Sequence, residues 1–222
     1  MIKGVVFDLD ATLSDRRRVL CEIGKKFFKQ KKELLYEEIT EEQFVNELLE
    51  SDLNKNHYGW EAMGEWLYNR NVLKKKEYWK PLFDFVHEYY KIIGFAEEDA
   101  EFVLNELKNR GYKLGIITNG TKECQGAKLK LLNFDKYLEH TIICEETRKP
   151  NKEPFLEMAE ALNLKPEELM YVGDNPLNDV EGSRNAGYTP VWMRKYAIWI
   201  FPEIKMCDYV IDSLSDLLNI LK

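Results

Sequence analysis

Short apolar runs alternate with amphipathic stretches at both ends of this 222-residue chain, and the pattern changes in between. Val5-Val6-Phe7, Leu114-Gly115-Ile116-Ile117, Ile142-Ile143-Cys144 and Leu169-Met170-Tyr171-Val172 are continuous apolar segments. Strands buried on both faces of a parallel sheet read this way. Helical spacing falls between them, over 97–110 with a stop at Gly111, over 122–133 and over 153–162. Pro166-Glu167-Glu168 forms the first turn of a short helix, and a helix after Pro176 runs to Ala186 and stops at Gly187. Proline at a helix start and glycine past its end are the expected punctuation. Strands over 189–193 and 209–211 precede a last helix over 214–221. Such alternation predicts an α/β fold, a Rossmann-like core built on one parallel sheet.

Residues 16–93 show helical patterning and no strand. Val19, Leu20, Ile23, Phe27 and Leu34 form one apolar stripe. Thr40-Glu41-Glu42-Gln43 has the form of a capping box, and Phe44, Val45, Leu48 and Leu49 follow at helical spacing. Trp60, Met63, Trp66 and Leu67 mark a third helix. Trp79, Leu82, Phe83, Val86, Tyr89 and Tyr90 mark a fourth, with Pro81 tolerable only in its first turn. The domain reading is therefore a core from 1–15 and 94–222, with an inserted all-helical domain over 16–93. Gly94 and Ser14-Asp15 are the expected hinges.

Composition narrows the function class. An apolar share of 45% with 13% aromatic residues suits a packed globular protein. The net charge of −7 gives no support to nucleic-acid or membrane binding. Arg16-Arg17-Arg18 and the lysines over 25–32 read as a solvated helix face, with the exception that one of the three arginines, close in sequence to the loop after the first apolar run, is a candidate ligand contact. Cys21, Cys124, Cys144 and Cys207 have no paired spacing and, without a signal peptide, read as reduced thiols of a cytoplasmic protein. No apolar run approaches the ~20 residues that span a bilayer. His57, His87 and His140 are scattered, without metal-ligand spacing.

Chemistry gathers where the apolar runs end. Val5-Val6-Phe7 leads into Asp8-Leu9-Asp10-Ala11-Thr12, two carboxylates spaced two apart. The later runs lead into Thr118-Asn119-Gly120, then Arg148-Lys149-Pro150, then Gly173-Asp174-Asn175 with Asn178-Asp179 beyond. In an open parallel sheet, ligands bind outside the carboxyl ends of the strands, so the four clusters share one edge. Paired acids there suit acid–base work, nucleophilic attack by carboxylate, or Mg²⁺ binding.

This order of motifs resembles the haloacid dehalogenase-like hydrolase superfamily, and most closely its Mg²⁺-dependent phosphatases. Asp8 through Thr12 matches the first motif, Thr118-Asn119 the second, Lys149-Pro150 the third, and Gly173-Asp174 with Asn178-Asp179 the fourth. The resemblance implies that Asp8 is the nucleophile, forming an aspartyl-phosphate. Asp10 would protonate the leaving oxygen and then activate water, with Thr12 holding it in place. Thr118 and Asn119 would bind phosphate, and Lys149 would stabilise the nucleophile and the phosphoryl oxygens. Asp174, a carboxylate of Asp8 and the carbonyl of Asp10 would hold Mg²⁺. Asp179 would sit behind the metal or orient Lys149. The helical insert resembles the cap of many relatives, which closes over the site and excludes water.

Two departures stand out. Ala11 occupies a position where relatives often carry Gly, Asn or Asp. The approach to Lys149 is short and lacks a glycine they often have, which makes Arg148 and Lys152 candidate partial substitutes. The acid at Asp10 separates the chain from the true dehalogenases, which usually lack it because carbon–halogen cleavage needs no leaving-group proton. The expected activity is hydrolysis of a small phosphorylated metabolite, such as a sugar phosphate, a nucleoside monophosphate or phosphoglycolate, by a monomer or homodimer. The alternatives are a phosphomutase of the same superfamily and a non-catalytic protein that binds a phosphoryl ligand.

Overall fold

The computed structural model describes residues 1–55 and 59–221, so His57 lies outside the described residues. The chain forms two compact units, Met1–Asp15 with Phe95–Lys222, and Arg16–Gly94.

The first unit is built on six strands: β1 (Gly4–Phe7), β2 (Lys113–Asn119), β3 (His140–Cys144), β4 (Leu169–Gly173), β5 (Thr189–Met193) and β6 (Tyr209–Ile211). They lie in the order β3-β2-β1-β4-β5-β6, and every pairing is parallel. The α/β reading of the sequence therefore holds. The continuous apolar runs have their cause in the packing, because successive side chains point to opposite faces and both faces are covered. Val5, Phe7, Leu114, Ile116, Met170 and Val172 join a cluster with Val103, Leu104 and Leu107 of α5 (Ala100–Asn109). Val6, Ile117, Ile142 and Tyr171 pack on the opposite side against Phe155 and Met158 of α7 (Glu153–Ala161). Burial of each such large side chain contributes about 1.5–3 kcal/mol.

Between these two helices in sequence lies α6 (Lys122–Leu132), capped by Thr121, whose side chain accepts a hydrogen bond from the Cys124 N–H at 3.1 Å. Two helices differ from expectation. α5 starts at Ala100 rather than near 97, because Glu97 is drawn into other bonds. Its N–H binds the Leu13 carbonyl and its carboxylate takes Lys195 Nζ at 2.6 Å. The segment expected as a helix over 176–186 opens as a wide π-helical turn, Pro176–Glu181, before α8 (Gly182–Asn185). Such turns gather at functional sites, and this one carries Asp179. The chain ends in a tight turn, Leu214–Asp216, and α9 (Leu217–Ile220).

The second unit contains α1 (Arg16–Gln30), α2 (Glu41–Lys55), α3 (Gly59–Asn69) and α4 (Trp79–Tyr90). α1 packs on α2 and α4, α2 on α3, and α3 on α4. The capping box forms as its sequence implies: Gln43 N–H donates to Thr40 Oγ1, and Thr40 N–H to Gln43 Oε1. Val19, Leu20, Ile23 and Phe27 are buried, and Phe27 stacks on Phe44 at 5.4 Å. Arg16 is committed to Asp52 through a two-pronged ion pair at 2.6–3.2 Å. All four cysteines are free thiols. Among the described residues no helix is long and apolar enough to cross a membrane.

Candidate active site

The carboxyl ends of β1, β2 and β4, with the loop after β3, carry the polar clusters. Leaving β1, the chain turns tightly: the N–H groups of Leu13 and Ser14 both reach the Leu9 carbonyl. Ala11 lies within that turn at φ 59, a left-handed conformation that glycine or asparagine adopts more easily. The turn leaves Asp8 buried and the Asp10 carboxylate partly exposed.

Lys149 is the hub. Its ammonium donates to Asp8 Oδ1 at 2.7 Å, Asp179 Oδ1 at 2.6 Å and the Tyr171 hydroxyl at 2.7 Å. Those contacts use the three donors of a lysine. The Tyr171 O–H in turn donates to the Ile117 carbonyl at 2.8 Å. The side-chain amide of Asn119 clamps the Lys149 backbone in both directions, accepting from its N–H at 2.9 Å and donating to its carbonyl at 3.1 Å. That clamp presents Lys149 without the expected glycine. Arg148 and Lys152 are exposed and stand outside this network, so the expectation that they substitute for Lys149 is not met.

Asp8, Asp174 and Asp179 each offer a carboxylate oxygen, all within 4.8 Å of one another. Asp179 Oδ2 accepts the Asn175 N–H at 2.9 Å, while Asn175 Oδ1 accepts the N–H groups of Leu177 and Asn178. The glycine at 173 makes this possible, because a Cβ there would lie 2.4 Å from the Asp179 carboxyl carbon. Trp192 Nε1 donates to the Asp174 carbonyl at 2.8 Å.

Burial raises the Asp8 carboxyl to about 7, the opposing effect of Lys149 being smaller; Asp179 and Asp10 push it up further. Burial alone would lower the Lys149 ammonium, but Asp179 and Asp8 outweigh it and hold it well above its ordinary value. The Tyr171 phenol is likewise pushed well up by burial, which keeps it neutral.

Asp10 belongs to a second network. Lys128 Nζ lies 2.8 and 2.7 Å from its two oxygens, and Gln125 Nε2 reaches Oδ2 at 3.1 Å. The same Gln125 nitrogen donates to the Thr118 hydroxyl at 2.6 Å. One expectation is corrected here. The Thr12 hydroxyl is fully buried and makes no hydrogen bond. The turn after β1 packs it inward, and α6 supplies the groups that hold Asp10. Gln125, Lys128, Tyr171 and Asn175 are the site residues that sequence reasoning missed. For Gln125 and Lys128 the available signal was their three-residue spacing on the helix that follows Thr118-Asn119, which puts both on one face.

Comparison with known proteins decides the family. The profile of the haloacid dehalogenase-like hydrolases matches residues 5–193. The chain belongs to that family. This hydrolase is 31% identical to the glyceraldehyde 3-phosphate phosphatase of Pyrococcus furiosus, over the whole chain and 93% of that protein. It is 35% identical to the pyrophosphatase PpaX of Bacillus mycoides over 62% of the chain and 65% of the relative. Among solved structures, an HAD phosphatase from Thermococcus onnurineus covers 99% of the hydrolase, which spans 98% of it in turn, at TM-score 0.64 and 26% identity. The HAD-hydrolase YfnB of Bacillus subtilis, bound to magnesium, shares the fold at TM-score 0.76 and 20% identity, with 100% and 99% of the two chains covered.

Proposed function

We propose that this hydrolase is a magnesium-dependent phosphatase that cleaves a small phosphorylated metabolite through an aspartyl-phosphate on Asp8. The observation that carries the reading is the buried Lys149 ammonium, bonded to Asp8 and Asp179 beside Asp174. The phosphatase names of its relatives support the same reaction class.

The residues fit a divalent cation. Four carboxylates, Asp8, Asp10, Asp174 and Asp179, gather around two ammonium groups, Lys149 and Lys128. Burial raises the Asp8 carboxyl to about 7, with Asp179 and Asp10 adding to it, so a cation held there would favour its ionised form. Hard oxygen donors of this kind are what magnesium takes. Asp8 and Asp174 would hold it by carboxylate and Asp10 by its carbonyl, with Asp179 behind them on Lys149 and Asn175. When bound, magnesium neutralises the acids and polarises the phosphoryl oxygens.

The chain's own residues supply the remaining chemistry. The Asp8 carboxylate attacks phosphorus, held toward its ionised form by Lys149. Asp10 gives a proton to the leaving oxygen and later takes one from the water that attacks the phosphoenzyme. Thr118 accepts from Gln125 and keeps its own O–H for a phosphoryl oxygen. Asn119 acts at one remove, by fixing the Lys149 backbone.

The test is inorganic phosphate release from a panel of sugar phosphates, nucleoside monophosphates and phosphoglycolate, with Mg²⁺ or with EDTA, beside Asp8→Asn. Metal-dependent release that Asp8→Asn loses is the expected result. Release that survives Asp8→Asn, or none from folded, magnesium-loaded protein, would overturn the reading.

A further inference from the structure

α6 places two polar side chains, Gln125 and Lys128, under the site, and neither matches a motif of the chain. Lysine is almost never fully buried unless paired, and the Lys128 side chain, paired with Asp10, is only 5% exposed. A solvated surface ion pair contributes about 0–1 kcal/mol and has no reason to be sequestered. Lys128 spans both oxygens of Asp10, at 2.8 and 2.7 Å. Gln125, one turn earlier, ties the same carboxylate to the Thr118 hydroxyl, with 3.1 Å to Asp10 and 2.6 Å to Thr118. Asp10 has need of such support. It sits on a turn next to a left-handed Ala11, and the Thr12 hydroxyl does not bond to it.

We propose that Lys128 is the positioning residue of Asp10, holding the proton-transfer group from a capped helix while Gln125 couples it to the phosphoryl-binding hydroxyl. The proposal rests on the phosphatase reading. It makes Lys128 matter in proportion to how much the leaving group needs a proton. As phosphorus passes to Asp8, an alkyl ester releases a basic alkoxide that depends on a proton from Asp10; p-nitrophenyl phosphate releases a stabilised phenolate that hardly does.

The experiment compares kcat/KM, which reports the steps through leaving-group departure, for glycerol phosphate and p-nitrophenyl phosphate in wild type, Lys128→Met, Lys128→Arg and Asp8→Asn. Lys128→Met is expected to lose about 10²-fold or more on the alkyl ester, the scale of acid–base catalysis, and less than about tenfold on the aryl ester. Lys128→Arg is expected to restore part of the difference. Equal losses on both esters would make Lys128 a phosphate contact or a purely structural group, and no loss would make it a bystander; either overturns the proposal. Should Lys128→Met not fold, Lys128→Gln, a neutral donor of similar reach, runs the same comparison. A wild type that cleaves neither ester is a different failure, that of the phosphatase reading itself, and the proposal falls with it.

Discussion

Replacing Lys149 with methionine keeps an unbranched stem and removes the charge on which the site is organised. Its ammonium makes three hydrogen bonds of 2.6–2.7 Å in a position only 4% exposed. Methionine would leave Asp8 and Asp179 facing each other with no cation between them. Removing one partner of a buried ion pair costs about 3–5 kcal/mol, because the remaining charge stays buried. For a protein of this size 1 kcal/mol moves Tm by about 2–4 °C, so the expected loss in metal-free protein near pH 8 is roughly 6–20 °C. The loss should shrink near pH 5. A carboxyl that already sits at about 7 with Lys149 present rises further without it, and a protonated acid needs no counter-charge. Thermal unfolding followed by circular dichroism at the two pH values measures both effects. A fall of less than about 3 °C near pH 8, or an equal fall at both, would refute the claim that Lys149 holds two buried carboxylates together.

Other expectations follow from single contacts. Asp10→Asn should lower kcat for an alkyl phosphate by about 10²–10⁴-fold; steady-state kinetics read this directly, and an unchanged rate would put the proton elsewhere. Ala11→Gly should raise stability by about 1 kcal/mol, since an L-residue in the left-handed region costs roughly that much; chemical denaturation checks it. The Asp8 carboxyl lies at about 7 in the fold against its ordinary 3.8, so the folded protein holds this proton more tightly than the unfolded chain. That contribution to stability is complete below about pH 4 and is lost as pH rises through about 7. On the proposed reading magnesium would take the proton's place, so it should raise Tm more near pH 8 than near pH 5, as melting curves with and without the metal will register.

The sequence disclosed the layers and one half of the site for the same reason. A continuous apolar run followed by acids, amides or a cation is what a buried parallel strand looks like when it opens onto a ligand crevice, so Asp8, Thr118, Lys149 and Asp174 stood out. Side chains whose role depends on depth did not. Gln125 and Lys128 lie on a helix where polar residues ordinarily face water, and the burial that sets them apart arises only when α6 packs on the sheet. Tyr171 passed as one more apolar strand residue, because its ring packs beside Phe155 while its hydroxyl alone turns to Lys149. Thr12 failed in the opposite sense. Its place next to Asp10 in sequence suggested a contact that the tight turn at Ala11 directs elsewhere. The wide turn at Pro176–Glu181 has the pattern of an ordinary helix, since nothing in its composition reveals that the Asp179 carboxylate bonds back to the Asn175 N–H.

Covalent capture of the phosphoryl group tests the central claim most directly. The protein is mixed with magnesium and a substrate that releases phosphate, quenched within the first turnovers and treated with borohydride, which reduces an aspartyl-phosphate to homoserine. Peptide mass spectrometry then locates the change. Homoserine at Asp8, dependent on substrate and magnesium and absent at Asp10, Asp174 and Asp179, is the predicted result. Steady phosphate release with Asp8 unmodified, or capture at another carboxylate, would contradict the account.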